Sequence, residues 1–155
     1  MATAVVTVSD SRTLETDTGG GAVEAMLEEM GHPVVVREIV PDEPQRIQEA
    51  LRRLIGGDAR AIILTGGTGV APRDQTPEAV RPLLDREIPG FGELFRMLSY
   101  EDIGSAALLS RGLAGMVKGV VVFVIPGSRG AVRLAMDKLI LPELGHLTAE
   151  AIKVR

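Results

Sequence analysis

With 155 residues, 45% of them apolar, the chain can bury one substantial core and has no length to spare for a second domain. The absence of cysteine and the presence of only two histidines exclude disulfides, thiolate nucleophiles and thiolate metal sites, so any chemistry rests on carboxylates, hydroxyls, arginine or a hard cation. A net charge of −4 provides no footprint for nucleic acid, and the strand-like start, without basic leader or long apolar stretch, predicts a cytoplasmic protein that neither is exported nor spans a membrane.

Taken in chain order, Ala4 to Val8 reads as a short buried strand, closed by Ser9-Asp10-Ser11-Arg12, which is either a phosphate contact or a polar turn. Ala22, Val23, Met26, Leu27 and Met30 form one helical stripe that Gly31 ends. Pro33 to Val40 is a second strand. Asp42, in Pro41-Asp42-Glu43-Pro44-Gln45, has two readings: an N-cap with Gln45 reaching back, or a metal-binding carboxylate at the end of that strand. Ile47, Ala50, Leu51, Leu54 and Ile55 stripe a second helix that stops at Gly56-Gly57. Ala61 to Thr65 is a third strand, emptying into Gly66-Gly67-Thr68-Gly69, where missing Cβ atoms let backbone amides approach an anion. This turn is neither a Walker loop, since no Gly-Lys-Ser/Thr follows, nor the three-glycine dinucleotide pattern.

Asp74 follows, suited to a local turn or to a hard cation such as Mg²⁺, which needs one or two carboxylates plus substrate phosphates. Thr76 is expected to cap the next helix, with Pro77 in its first helical position. Phe91, Leu94, Phe95 and Leu98 recur at helical spacing, and Ser105 to Ser110 reads as a further helical segment. Tyr100, Ser110 and Arg111 there suit a solvated face or a ligand contact equally well. Leu113 to Val117 and Val120 to Ile125 flank Lys118-Gly119 as a β-hairpin and so bring in one antiparallel strand. Pro126-Gly127-Ser128-Arg129-Gly130 then leads into a helix striped by Val132, Ala135, Met136 and Leu139, a second strand–turn–helix anion site. His32 and His146 read as surface residues. The alternation predicts an α/β fold, a three-layer α/β/α sandwich whose mostly parallel sheet carries one antiparallel strand, with ligands at the carboxyl ends of the strands.

Thr7-Val8-Ser9-Asp10-Ser11, Leu64-Thr65-Gly66-Gly67-Thr68-Gly69, Arg73-Asp74-Gln75-Thr76-Pro77-Glu78-Ala79 and Pro126-Gly127-Ser128 together resemble the molybdopterin-binding domain of molybdenum cofactor biosynthesis proteins, the MoaB/Mog family. Ser99-Tyr100-Glu101-Asp102-Ile103-Gly104, Leu108-Leu109-Ser110-Arg111, and Gly127-Ser128 where Mog sequences more often have Gly-Asn, are closer to the MoaB branch. The resemblance covers essentially the whole chain as one domain. It implies a homotrimer or a homohexamer, molybdopterin and ATP as substrates, and Mg²⁺-dependent adenylylation of the molybdopterin terminal phosphate with release of pyrophosphate. A molybdate insertase would act next. The two family aspartates fall on Asp42 and Asp74, expected as catalytic metal ligands. Ser9, Asp10, Ser11, Thr65, Gly66, Gly67, Thr68, Gly69, Arg73, Ser110, Pro126, Gly127 and Ser128 are expected to bind substrate. The alternative is a carrier or partner-binding module of the same pathway that holds molybdopterin without turnover.

Overall fold

The computed structural model describes residues 1–154. Six strands form one sheet: β1 (Thr3–Val8), β2 (Val34–Val40), β3 (Ala61–Thr65), β4 (Arg86–Glu87), β5 (Leu113–Val117) and β6 (Val120–Ile125), in the order β2-β1-β3-β6-β5-β4. The β1–β2, β1–β3 and β3–β6 pairs are parallel, whereas β5 runs against both β6 and β4. One strand is thus reversed, as the hairpin pattern requires.

Side chains alternate across the three central strands with period two, which divides the core in two. Ala4, Val6, Val8, Ile62, Leu64, Val122 and Val124 face a layer that includes α2 (Pro44–Ile55) and α3 (Thr76–Val80). Val5, Ile63, Val121, Phe123 and Ile125 face the opposite layer of α1 (Thr18–Glu29), α4 (Pro89–Ile103), α5 (Arg129–Ala135) and α6 (Leu141–Ala151). A π-helical turn, Met136–Ile140, joins α5 to α6. Helix α4 docks through Phe91, whose ring meets Phe123 edge-on at 5.4 Å. All three layers are present because both faces of these strands are apolar.

The C-terminus of α1 follows from Gly31, at φ +80°, with the His32 amide donating to the Leu27 carbonyl at 2.9 Å. Two apolar positions of the expected stripes are exposed: Met30, beyond the last turn of α1, and Leu94 on α4. The segment before Ser110 is a 3₁₀ helix, Gly104–Leu109. Strand β4 has no sequence signal, being two exposed residues held by the Asp85 and Ile88 amides on the Met116 and Ala114 carbonyls.

The hairpin turn has Lys118 at φ +48° and Gly119 at φ +80°. Both central positions of this two-residue turn therefore lie in the left-handed region, which lysine adopts at a cost and asparagine adopts readily. Lys118→Asn is expected to stabilise the protein by about 0.5 kcal/mol, read as a higher urea midpoint at unchanged slope.

Candidate functional site

Parallel strands present their carboxyl ends side by side, and the order β2-β1-β3 places a topological switch beside β1, where such sheets leave a crevice. The crevice here is a cavity of about 240 Å³ at the ends of β1, β3 and β6, lined among others by Thr7, Ser9, Arg12, Thr65, Gly66 and Ser128. Two helix N-termini converge on it. Asp17 caps α1, accepting the Gly20 amide at 3.0 Å, and Ser128 caps α5, accepting the Ala131 amide at 3.3 Å. The helices meet so closely that a Cβ at Gly19 would lie 2.5 Å from the Gly127 carbonyl oxygen. Two helix starts beside one polar crevice bring the positive ends of their dipoles to it, which favours an anion there.

A buried polar chain forms the floor. The Thr65 hydroxyl donates to Thr7 Oγ1 at 3.3 Å, Thr7 donates to Asp17 Oδ2 at 2.6 Å, and Arg37 reaches that same carboxylate oxygen at 3.3 Å. Asp17, Thr18 and Gly19 were not among the sequence candidates. Their signal was present, an Asp followed by Thr-Gly-Gly-Gly at the head of the first helical stripe, which is an N-cap with glycines where a ligand must come close.

On the other side of the glycine turn stand the carboxylates. Gly66 (φ +93°) and Gly67 (φ +67°) turn the chain away from β3. A Cβ at Gly67 would lie 2.8 Å from Asp42 Oδ2, and one at Gly69 would lie 2.7 Å from Asp74 Oδ2. Both carboxylates thus abut one turn, reached from β2 and from the loop before α3. Asp42 is buried, and its Oδ1 accepts the Gln75 amide at 3.3 Å. Asp10 Oδ1 accepts the Asp42 amide at 3.0 Å, and Arg73 pairs with Asp10 Oδ2 through two nitrogens at 2.6 and 3.1 Å.

Burial raises the Asp42 carboxyl above its ordinary value, the charges of Asp74 and Asp10 adding to it. The hydrogen bond from Arg73 instead holds Asp10 below its ordinary value. Arg73 therefore serves Asp10 first, and Asp42 keeps a carboxylate that an added cation would stabilise. Among the described residues no group of three or more His, Cys, Asp or Glu forms a metal cage. Two carboxylates beside a polar crevice are the kind of donor set by which a hard cation such as Mg²⁺ would be held together with substrate phosphates.

Two expected caps are corrected. Helix α2 is entered at Glu43 without a side-chain cap, and Asp42 spends its oxygen on Gln75, so the capping reading of Asp42 with Gln45 fails. Thr76 is itself the first residue of α3, and its hydroxyl donates to the Gly66 carbonyl at 2.8 Å, tying the helix to the turn.

A profile described as "Probable molybdopterin binding domain" matches residues 4–146. The chain belongs to this molybdopterin-binding domain family. It is 52% identical over 153 residues to molybdenum cofactor biosynthesis protein B of Halalkalibacterium halodurans, covering 97% of this chain and 90% of that one. The crystal structure of a molybdenum cofactor biosynthesis protein B superposes with a TM-score of 0.94 at 54% identity, covering 97% of this chain and 94% of the other. That of the tungsten cofactor synthesizing protein MoaB from Pyrococcus furiosus superposes at 0.89 and 36% identity, covering 98% and 97%. The chain is accordingly a molybdenum cofactor biosynthesis protein with the MoaB/Mog fold.

Within this family member, Ser9, Thr65, Gly66, Gly127 and Ser128 share the anion crevice, with Pro126 half-buried behind them. Asp10, Asp42, Arg73 and Asp74 gather around Gly67 to Gly69. The Ser9 hydroxyl oxygen accepts the Ser11 and Arg12 amides, and Ser11 lies exposed. Ser110 stands apart, lining a different cavity with Arg81 and Arg96, its buried hydroxyl without a protein partner. The Thr68 carbonyl accepts the Arg111 amide at 3.1 Å, which links the two regions. No described helix is long and apolar enough to cross a membrane.

Proposed function

We propose that this protein binds molybdopterin and transfers the adenylyl group of ATP to its terminal phosphate before metal insertion. A molybdopterin phosphate oxygen attacks the α-phosphorus of ATP, a new P–O–P linkage forms, and the bond to the β-phosphate breaks to release pyrophosphate. The observation that carries the reading is the pair Asp42 and Asp74 set against Gly67 and Gly69, on a turn that also borders a polar crevice lined by Thr7, Ser9, Thr65 and Ser128. Such transfer asks for positioning and charge neutralisation more than for a covalent nucleophile.

Asp42 and Asp74 would hold Mg²⁺, which when bound neutralises the phosphate oxygens as charge moves to the leaving group. Asp42 and Asp74 contribute carboxylate oxygens at the turn, and Arg73 pairs with the neighbouring Asp10. The Gly66–Gly69 turn, Ser9, Thr65, Thr68 and Ser128 would orient the pterin phosphate and the nucleotide phosphates through amides and hydroxyls. The exposed apolar residues Leu94, Met97, Tyr100, Ile103, Leu108 and Leu109, on α4 and the 3₁₀ helix after it, support assembly into a homotrimer or homohexamer. The adenylylated product would pass to a molybdate insertase in the cytoplasm.

The decisive experiment incubates purified protein with MgATP and molybdopterin and measures pyrophosphate. Release that requires both substrates is the expected result. Tight pterin binding with no release would make the protein a carrier of the same pathway.

A further inference from the structure

We propose that Arg111 is a positioning residue that sets the Asp74 carboxylate against the glycine turn. Its kinetic consequence rests on the adenylylation reading above; its structural consequence does not. Arg111 lies just before β5, far in sequence from the turn, yet every polar bond it makes reaches residues 68 to 78. Its amide donates to the Thr68 carbonyl at 3.1 Å, and Nε donates to the Gly69 carbonyl at 2.8 Å. Nη2 donates to the Asp74 carbonyl at 2.6 Å, and Nη1 meets both oxygens of Glu78 at 2.5 and 2.9 Å. One planar fork therefore ties together the two ends of the loop from Gly69 to Asp74 and the first turn of α3.

The loop has other anchors: Arg73 pairs with Asp10, the Gln75 side-chain amide donates to the Pro72 carbonyl at 3.0 Å, and the Gln75 and Thr76 amides donate to Asp42 Oδ1 and to the Gly67 carbonyl. It turns back on itself through the Asp74 amide on the Ala71 carbonyl and the Ala71 amide on Asp74 Oδ2. Those two bonds close the loop without fixing its distance from the turn. The Arg111 guanidinium joins the Gly69 carbonyl directly to the Asp74 carbonyl, and so bears on the separation of Asp74 Oδ2 from Gly69. Arginine suits this task because its five N–H groups point in fixed directions, whereas the lysine ammonium is a compact charge on a flexible stem. A carboxylate displaced by about 1 Å is enough to lose most of a positioned group's effect.

The test compares wild type with Arg111→Lys by hydrogen exchange and by steady-state kinetics. Four amides report on the loop without touching Arg111: Ala71, Asp74, Gln75 and Thr76. In the lysine variant they are expected to exchange roughly tenfold faster while amides of β1, β3 and β6 keep wild-type rates. The kcat for pyrophosphate release is expected to fall about tenfold to a hundredfold, with KM for ATP and molybdopterin within about twofold. Unchanged exchange at the four amides would overturn the proposal, as would a raised KM at unchanged kcat, which would mark Arg111 as a ligand contact. If wild-type protein shows no turnover, the proposed reaction fails on its own account, and exchange alone decides the positioning role. Glu78→Gln, which loosens the guanidinium without removing it, should show the same pattern at smaller amplitude and carries the test if Arg111→Lys does not fold.

Discussion

Asp74→Asn and Asp42→Asn should each reduce molybdopterin-dependent pyrophosphate release about a thousandfold while leaving a folded protein, the size of loss typical for removing one preorganised electrostatic contact. The two variants should differ in stability. The fold disfavours the ionised form of Asp42, because burial and two neighbouring carboxylates raise its pKa. The sign follows: a carboxyl whose folded pKa is raised destabilises the native state above that pKa, and the penalty is relieved as pH falls through it. Asn at this position keeps an oxygen for the Gln75 amide and removes the charge. The Asp42→Asn protein should therefore melt at or above wild type at neutral pH, and the gap should close on acidification to about pH 4. A variant that melts lower than wild type at neutral pH would mean that the carboxylate is structural. Loss of activity beside retained or improved stability is the signature of a residue kept for chemistry.

Gly66→Ala is expected to cost about 2–4 kcal/mol of stability and to abolish activity, since one atom meets two obstacles there. The backbone lies at φ +93°, and the new Cβ would overlap the Val8 carbonyl oxygen, a main-chain atom in the central strand. Gly66 also donates its amide to the Ile125 carbonyl at 3.0 Å and gives its carbonyl to Thr76, so displacing it moves β6 and α3 together. A drop in melting temperature of about 6–12 °C corresponds to this energy for a chain of this size. Gly145→Ala is the control. It lies inside α6 with no atom within 4 Å of the added Cβ, so it should raise stability by up to about 1 kcal/mol. If Gly66→Ala melted like wild type, the turn would be slack, and its close approach to β1 could not shape the crevice.

Much of this architecture was legible in the residues themselves. The β-branched runs in β1, β3 and β6 are buried on both sides, as the central strands of a sheet covered by helices on both faces are. The glycine turn after β3 and the Ser128 cap before α5 are local features, determined within a few residues by φ and by the first helical turn. Strand β4 was invisible because two exposed residues carry no period, and they are a strand only through β5.

The resemblance to the MoaB/Mog family named Asp42 and Asp74 from sequence, but it did not say what each side chain touches. Local spacing left Asp42 open between a cap and a metal-binding carboxylate, and made Thr76 look like a cap; both oxygens went to backbone beyond their own helices once the strands were assembled. Asp10 and Asp42 are 32 positions apart, Asp42 and Gln75 33, and Asp10 and Arg73 63. Arg111, 37 positions from Asp74, read only as a solvated-face or ligand-contact residue, with nothing local to tie it to the Asp74 loop. Sequence by itself determined the elements, the turns and the family, because those depend on periodicity and on backbone preferences within a few residues. Tertiary structure alone decided which carboxylate is paired with arginine, which is buried against the glycine turn and which arginine reaches the loop, because parallel strand order brings the ends of β1, β2 and β3 together and burial then selects each partner by distance.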